Sequence, residues 1–306
     1  MKQVIFQIKQ VGFSRRRKPV RYRTVKLIHI SDTHLGKNDN ALRFSRLVDQ
    51  LVTAPPLPPQ ECLLIHTGDV IDSASAENRA AGCQQLARLS AAGYRVYLCP
   101  GNHDYGNAMA INNQAAHAFL HDYHQWIFHD QPASFPVVHH LDAAHVLILL
   151  DSNAAELVWY QRWFAEGHLG SSQLAALNTL LDQPDIRDKR VILCLHHHPF
   201  YYGYSVAPDV GDGHLAIHLL AGVTRSFRRL KDAYSLCKII QDRVQLLLFG
   251  HMHYGLDCSS ESQKYGIPQA FDGGSSTATD DDCDRLRYRQ IDTDTRVVHT
   301  SMLRLD

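Results

Sequence analysis

No C-x-x-C pair occurs among the 306 residues, although the chain carries seven cysteines: Cys62, Cys83, Cys99, Cys194, Cys237, Cys258 and Cys283. That absence removes the usual thiolate knuckles of zinc and iron–sulfur sites. An odd count, with Cys62, Cys99 and Cys194 inside apolar runs, also argues against a disulfide framework. We expect reduced, mostly buried thiols and a cytoplasmic protein. No apolar run reaches the roughly 18 residues that a membrane helix needs. Gln and Lys interrupt the opening MKQVIFQIKQVGF before a signal-peptide core can form. Excess charge of either sign is missing too: 31 Lys and Arg stand against 31 Asp and Glu. That balance gives no global argument for a nucleic-acid partner.

What the chain does have is apolar bulk and histidine. At 45% hydrophobic residues it can bury a full core. Its 20 histidines exceed an ordinary share, and imidazole is the commonest protein metal ligand. Residues 3–12 read as a short strand. The basic run SRRRKPVRYR at 14–23 reads as a solvated connection or as a contact for phosphate groups or anionic lipid.

From residue 25 onward strands and helices alternate. Apolar runs predict strands at 25–30, 62–68, 94–99, 137–141, 145–150, 191–195 and 244–249. Helical patterns fall at 40–52, 76–91, 107–127, 172–182 and 225–242. The tail after Ile267 carries short alternating segments and turn signals such as FDGGSST. This is an α/β chain with a β-rich tail, without an internal repeat. We divide it into an N-terminal strand and basic arm, 1–24, and a single domain, 25–306.

The informative positions follow the apolar strands. VKLIHI leads into Ser31-Asp32-Thr33-His34, and CLLIHT into Gly68-Asp69-Val70-Ile71-Asp72. YRVYLCP leads into Gly101-Asn102-His103-Asp104, VILCL into His196-His197-His198-Pro199, and VQLLLF into Gly250-His251-Met252-His253. Ligands of open α/β sheets bind beyond the carboxyl ends of strands, and five strands deliver almost nothing there but Asp, Asn and His. In an extended chain, residues i and i+2 share a side, so Asp32 can meet His34 and His251 can meet His253. Gly68, Gly101 and Gly250 let the backbone leave each strand sharply. Oxygen and imidazole donors without thiolates suit Mn, Fe(II), Zn, Ni or Co. Asp32, His34, Asp69, Asn102, His251, His253 and one further histidine exceed what one ion needs and suffice for two. Each block alone has a bland reading as a turn or a surface pair. All five in order make that reading improbable.

The order D-x-H, G-D-x-x-D, G-N-H-D, H-x-P, G-H-x-H resembles the calcineurin-like metallophosphoesterase superfamily over Asp32 to His253. The resemblance implies a four-layer α-β-β-α sandwich with two mixed sheets. It implies one metal held by Asp32, His34, Asp69 and His253, and a second held by Asp69, Asn102, His251 and the histidine of H-x-P. Asp69 would bridge the two ions, and a shared hydroxide would attack phosphorus. Strand alternation separates His197 from its neighbours but does not choose between the two sides. The H-x-P spacing of the resemblance selects His197, leaving His196 and His198 as loop residues or outer hydrogen-bond partners. His103 is implied as the acid or phosphate contact, with Asp72 the carboxylate that orients it and keeps it protonated. Asp72 also suits a helix N-cap.

The function expected is therefore a dinuclear metal-dependent phosphoesterase using two divalent ions, Mn, Fe or Zn. It would act on a small phosphate ester, a nucleotide or a lipid, with diesters preferred over monoesters. GNHD with GHMH resembles the branch of bacterial cyclic-nucleotide phosphodiesterases. SDTHLG resembles the opening of DNA-repair nucleases, which carry further domains. Enzymes that cleave a lipid A precursor are similar but usually have arginine where His103 stands. Two other readings remain: a phosphomonoesterase or protein phosphatase, and a non-catalytic phosphate-binding scaffold on the same fold. No ligand position is lost here, which disfavours the scaffold. The stretch 200–224, with Tyr201, Tyr202 and Tyr204, would line the substrate side or simply pack.

Overall fold

The computed structural model describes residues 25–107, 110–153, 166–200, 230–277, 285–293 and 298–303. The expected strand at 3–12, the basic run 14–23, nearly all of 200–224 and Cys283 lie outside the described residues.

Among the described residues, ten strands form two five-stranded sheets. In the first, β1 (Lys26–Ile30), β2 (Cys62–His66) and β3 (Arg95–Leu98) run parallel, with helices α1 (Asn40–Thr53) and α2 (Ala76–Ala91) between them. The strands β9 (Arg285–Asp292) and β10 (Val298–Leu303) add an antiparallel edge, with β9 pairing directly with β1. The second sheet has the order β4 (Val137–His140), β5 (His145–Leu149), β6 (Arg190–Cys194), β7 (Leu246–Phe249), β8 (Gln269–Asp272). Only the β4–β5 pair is antiparallel there. Both sheets are thus mixed.

Period-2 alternation sorts the core. Along β5, Leu147 and Leu149 join a cluster that includes Leu27, Ile28 and Ile30 of the first sheet. Val146 and Ile148 instead face a second cluster with Leu174, Leu177 and Leu181 of α5 (Ser171–Leu181). Leu236, Cys237 and Ile240, from the helix Ala233–Ile240, complete that layer. One face of the second sheet therefore packs on the first sheet and the other on helices, which makes the four-layer sandwich. On α1, Phe44, Leu47, Val48 and Leu51 bury a single stripe at i, i+3, i+4 and i+7.

Two expected helices are shorter than their sequence pattern. Residues 107–127 divide into α3 (Asn113–Asp122) and a single turn, α4 (His124–Ile127). Asn112 caps the start by accepting the Ala115 N–H at 2.8 Å. The break falls at Tyr123, whose ring stacks on Phe119 and whose hydroxyl donates to the Arg79 carbonyl. Within 225–242 the described helix is Ala233–Ile240. Asp232 precedes it, with its carboxylate turned to the N–H groups of Leu169 and Gly170. The six described cysteines are free thiols.

Candidate metal centre

All five polar segments sit at carboxyl ends of parallel strands, β1, β2 and β3 of one sheet and β6 and β7 of the other. Because the sheets pack face to face, these ends converge, and three groups result, two of which share His34. Asp32, His34 and His253 form one, Asp69, His196 and His251 a second, and His34, Asp72 and His103 a third.

In the first group, His253 Nε2 lies 3.2 Å from Asp32 Oδ1 and 3.1 Å from His34 Nε2. In the second, His196 Nε2 lies 3.3 Å from Asp69 Oδ2, 3.2 Å from Asn102 Oδ1 and 3.3 Å from His251 Nδ1. Asp69 joins the two groups. Its Oδ1 accepts the His103 N–H at 2.9 Å, while Oδ2 faces both His196 Nε2 and, at 3.7 Å, His34 Nε2.

The backbone supports this in a way that strand alternation does not foresee. Asp32, His34, Asp69, His251 and His253 all have positive φ, between 42° and 75°. Left-handed conformations are uncommon for non-glycine residues and cluster at functional sites. The i, i+2 pairs therefore meet through turns, not through extended chain. The expected turn segment FDGGSST buttresses the first of them. Ser275 Oγ donates to the Asp32 carbonyl at 2.7 Å, Ser276 N–H to the Ser31 carbonyl at 2.9 Å, and Thr277 Oγ1 to the Thr33 carbonyl at 2.9 Å. Gly101 permits the close approach of two strand ends, since a Cβ there would stand 2.1 Å from Asp69 Oδ1.

The three consecutive histidines separate clearly. Strand β6 ends at Cys194. His196 then turns into the centre, with Nδ1 donating to the Thr67 carbonyl at 2.7 Å and Nε2 aimed at Asp69 and Asn102. His197, the residue selected by the H-x-P spacing, stands outside these groups. Its Nδ1 pairs with Ser152 Oγ at 2.8 Å, its backbone N–H donates to the same oxygen, and its ring lies against that of His251. His198 accepts the Phe200 N–H and packs edge-on to Phe249. All three are buried, not looped into solvent.

Asp72 faces two imidazoles, His103 as expected and also His34. Its carboxylate Oδ1 lies 3.4 Å from His34 Nδ1 and 3.6 Å from His103 Nδ1. His103 Nδ1 instead donates to the Asp72 backbone carbonyl at 2.7 Å. Contact with His34 is the main cause that holds the Asp72 carboxyl below its ordinary range. The N-cap of α2 is Ser75, not Asp72. Asp104, the last residue of G-N-H-D, had no expected role. Buried, it accepts the N–H groups of Asp69 at 2.9 Å, Gly101 at 2.8 Å and Ile71 at 3.2 Å. Its signal was its place in a tight loop, where carboxylates commonly bind backbone amides.

The donor set fits cations. With Nδ1 of His196 donating to a carbonyl, its Nε2 is a lone-pair atom facing two oxygens and a nitrogen, an arrangement that needs positive charge between them. Without metal, a proton fills the role. Burial opposes a charge on His196, but the Asp69 carboxylate and then Asp32 raise it to about 10. Burial also opposes ionisation of Asp69 and Asp32, yet His196 holds the first well below the carboxylate range and His253 lowers the second. Burial and the adjacent imidazoles keep His251 neutral, the form that ligates metal.

These features define a two-part Asp/His/Asn centre at the mouth of a β-sandwich. The chain belongs to the calcineurin-like phosphoesterase family, whose model matches residues 25–255. It is accordingly a metal-dependent phosphoester hydrolase. No curated protein matches it in sequence. Among solved structures it resembles a dimetal phosphatase from Danio rerio, with 13% identity, a TM-score of 0.57, and cover of 87% of this chain and 91% of that one. It also resembles a purple acid phosphatase from yellow lupin, with 12% identity and a TM-score of 0.50, and it spans 91% of its own length but 53% of that chain. Among the described residues no helix is long and apolar enough to cross a membrane.

Proposed function

We propose that this chain is a dinuclear phosphodiesterase. Asp32, His34, Asp69 and His253 hold one divalent ion, and Asp69, Asn102, His196 and His251 hold the other. The observation that carries the reading is Asp69 Oδ2, which faces an imidazole nitrogen of each half-site, at 3.7 Å and 3.3 Å. When bound, such ions neutralise phosphoryl charge and make water nucleophilic near neutral pH. Oxygen and nitrogen donors without thiolates favour Mn, Fe or Zn.

The chain's own residues supply the rest. The His103 N–H fixes Asp69 Oδ1, so that carboxylate rotates little and Oδ2 stays directed inward. Thr67 fixes the His196 ring from behind. His103 has its Nδ1 proton held by the Asp72 carbonyl, which leaves Nε2 as the atom that, in the imidazolium form, would hand its proton to the leaving oxygen. Among the described residues no lysine or arginine ion-pairs with Asp32, Asp69 or Asp72. A monoester dianion brings one more negative charge than a diester, and with no such lysine or arginine beside the ions the lower charge of a diester is the easier one to meet.

Hydrolysis of bis(p-nitrophenyl) phosphate and p-nitrophenyl phosphate with added Mn²⁺ tests the reading, using wild type, Asn102→Ala and His103→Ala. Metal-dependent diester cleavage lost in both variants is the expected result. Preference for the monoester would make the chain a phosphatase instead.

A further inference from the structure

Asp32 is gripped from beneath by a line of buried side chains. Its Oδ2 accepts the Ser31 hydroxyl, and the His251 N–H is shared between Oδ2 at 3.1 Å and Oδ1 at 3.2 Å. Ser31 Oγ in turn accepts the Thr67 hydroxyl at 2.8 Å, and Thr67 Oγ1 lies 2.9 Å from His29 Nε2. His29, Ser31, Asp32 and Thr67 are all fully buried.

Proton counting gives this line a direction. A carboxylate only accepts, and each hydroxyl has one proton to give. Ser31 spends its proton on Asp32, and Thr67 spends its own on Ser31. Thr67 must therefore receive, so His29 carries its proton on Nε2. The other nitrogen, His29 Nδ1, is buried without a hydrogen-bond partner. A buried unpartnered polar atom is costly, and the neighbours Leu27, Ile28 and Ile30 show that β1 takes apolar residues readily. Filling space would be cheaper with leucine. What leucine lacks is the Nε2 donor.

The consequence lies at the carboxylate. With the Ser31 hydroxyl held on Oδ2 and the His251 N–H shared by both oxygens, Oδ1 is the oxygen turned to His253 Nε2 at 3.2 Å and His34 Nε2 at 3.9 Å. We propose that His29, Thr67 and Ser31 form a one-way hydrogen-bond chain of positioning residues that makes Asp32 present Oδ1 alone to a cation. The proposal rests on the reading of Asp32, His34 and His253 as a metal half-site.

The test titrates chelator-stripped full-length protein with Co²⁺, followed by calorimetry and by the visible spectrum of the bound ion. It compares wild type, Thr67→Val, Thr67→Ser and Ser31→Ala. The expected result is two ions in wild type, with the affinity of one lowered roughly 10–100-fold in Thr67→Val and Ser31→Ala. The Co²⁺ spectrum should change in both, and Thr67→Ser should restore it. Nitrogen NMR of the metal-free protein should find the His29 proton on Nε2. Where Thr67→Val does not fold, Ser31→Ala carries the same comparison. Two ions in wild type with unchanged affinity and spectrum in the variants would overturn the chain alone, as would a proton on His29 Nδ1. Wild type that binds no ion overturns the reading of the site, and the proposal with it.

Discussion

His196 Nε2 points at Asp69 Oδ2 across 3.3 Å, while the ring of the next residue, His197, turns away to Ser152. One step along the chain thus separates a histidine of the acidic centre from one that packs behind it. Replacing His196 by Ala should leave about one bound ion per chain and cut kcat/KM by far more than the roughly 10–100-fold that loss of an outer partner costs. His197→Ala should keep two ions and lose activity only within that smaller range. Metal analysis of the two purified variants decides it, and the reverse pattern would return the ligand role to His197.

The location of the centre was legible because strands buried on both faces read as short apolar runs, and each polar block begins where a run stops. The ligand types were legible for the same reason. Counting within a block was not, because alternation ends with the strand, and β6 ends two residues before His196. Asp32, His34, His251 and His253 likewise take left-handed turns that no period describes. The long-range parts were silent. Nothing local in FDGGSST says that its hydroxyls hold residues 31–33, and nothing in the tail says that β9 pairs with β1.

The Asp72 carboxylate stands nearer to His34 Nδ1 than to His103 Nδ1, at 3.4 Å against 3.6 Å. A carboxylate behind a ligating imidazole fixes its tautomer and strengthens it as a donor. Asp72→Ala should therefore weaken one ion by roughly 10–100-fold. His103 should be spared, since its Nδ1 bonds a backbone carbonyl that the substitution keeps. At saturating metal, kcat of Asp72→Ala should therefore stay close to that of wild type. A loss of kcat with metal affinity unchanged would show instead that the carboxylate works through His103.

Asp104 ties three backbone N–H groups, those of Asp69 and Ile71 after β2 and of Gly101 after β3, and so joins two of the loops that carry the metal-facing residues. Asp104→Ala strands all three in a buried place, at about 1–3 kcal/mol each. Urea unfolding of metal-free protein should show a loss of at least about 3 kcal/mol. His103→Ala, next in sequence but partly exposed, should lose far less. Equal losses in the two would mean that the amides find other partners when the carboxylate goes.

Three buried histidines in and around the first sheet weaken the fold in acid. Burial lowers His29 and His66 to about 3 and His139 to about 4, from an ordinary 6.5. Between those values the unfolded chain binds protons that the folded chain refuses. The contribution of these histidines to stability therefore rises with pH across this window, by up to about 1.4 kcal/mol per pH unit for each proton difference. It should fall as pH drops below 6.5 and level off near 3 to 4 as the folded histidines finally charge. His196 acts with the opposite sign. Its raised value adds stability below 6.5 that is lost only as pH climbs through about 10. His139 is the cleanest probe, because its Nε2 bonds the Ile127 carbonyl and its Nδ1 the Gln131 side chain, away from the metal-facing residues. Urea unfolding of metal-free His139→Gln between pH 4.5 and 6.5 should show a slope shallower than wild type by about 1 kcal/mol per pH unit. An unchanged slope would mean that His139 takes up its proton in the folded protein as readily as in the unfolded chain.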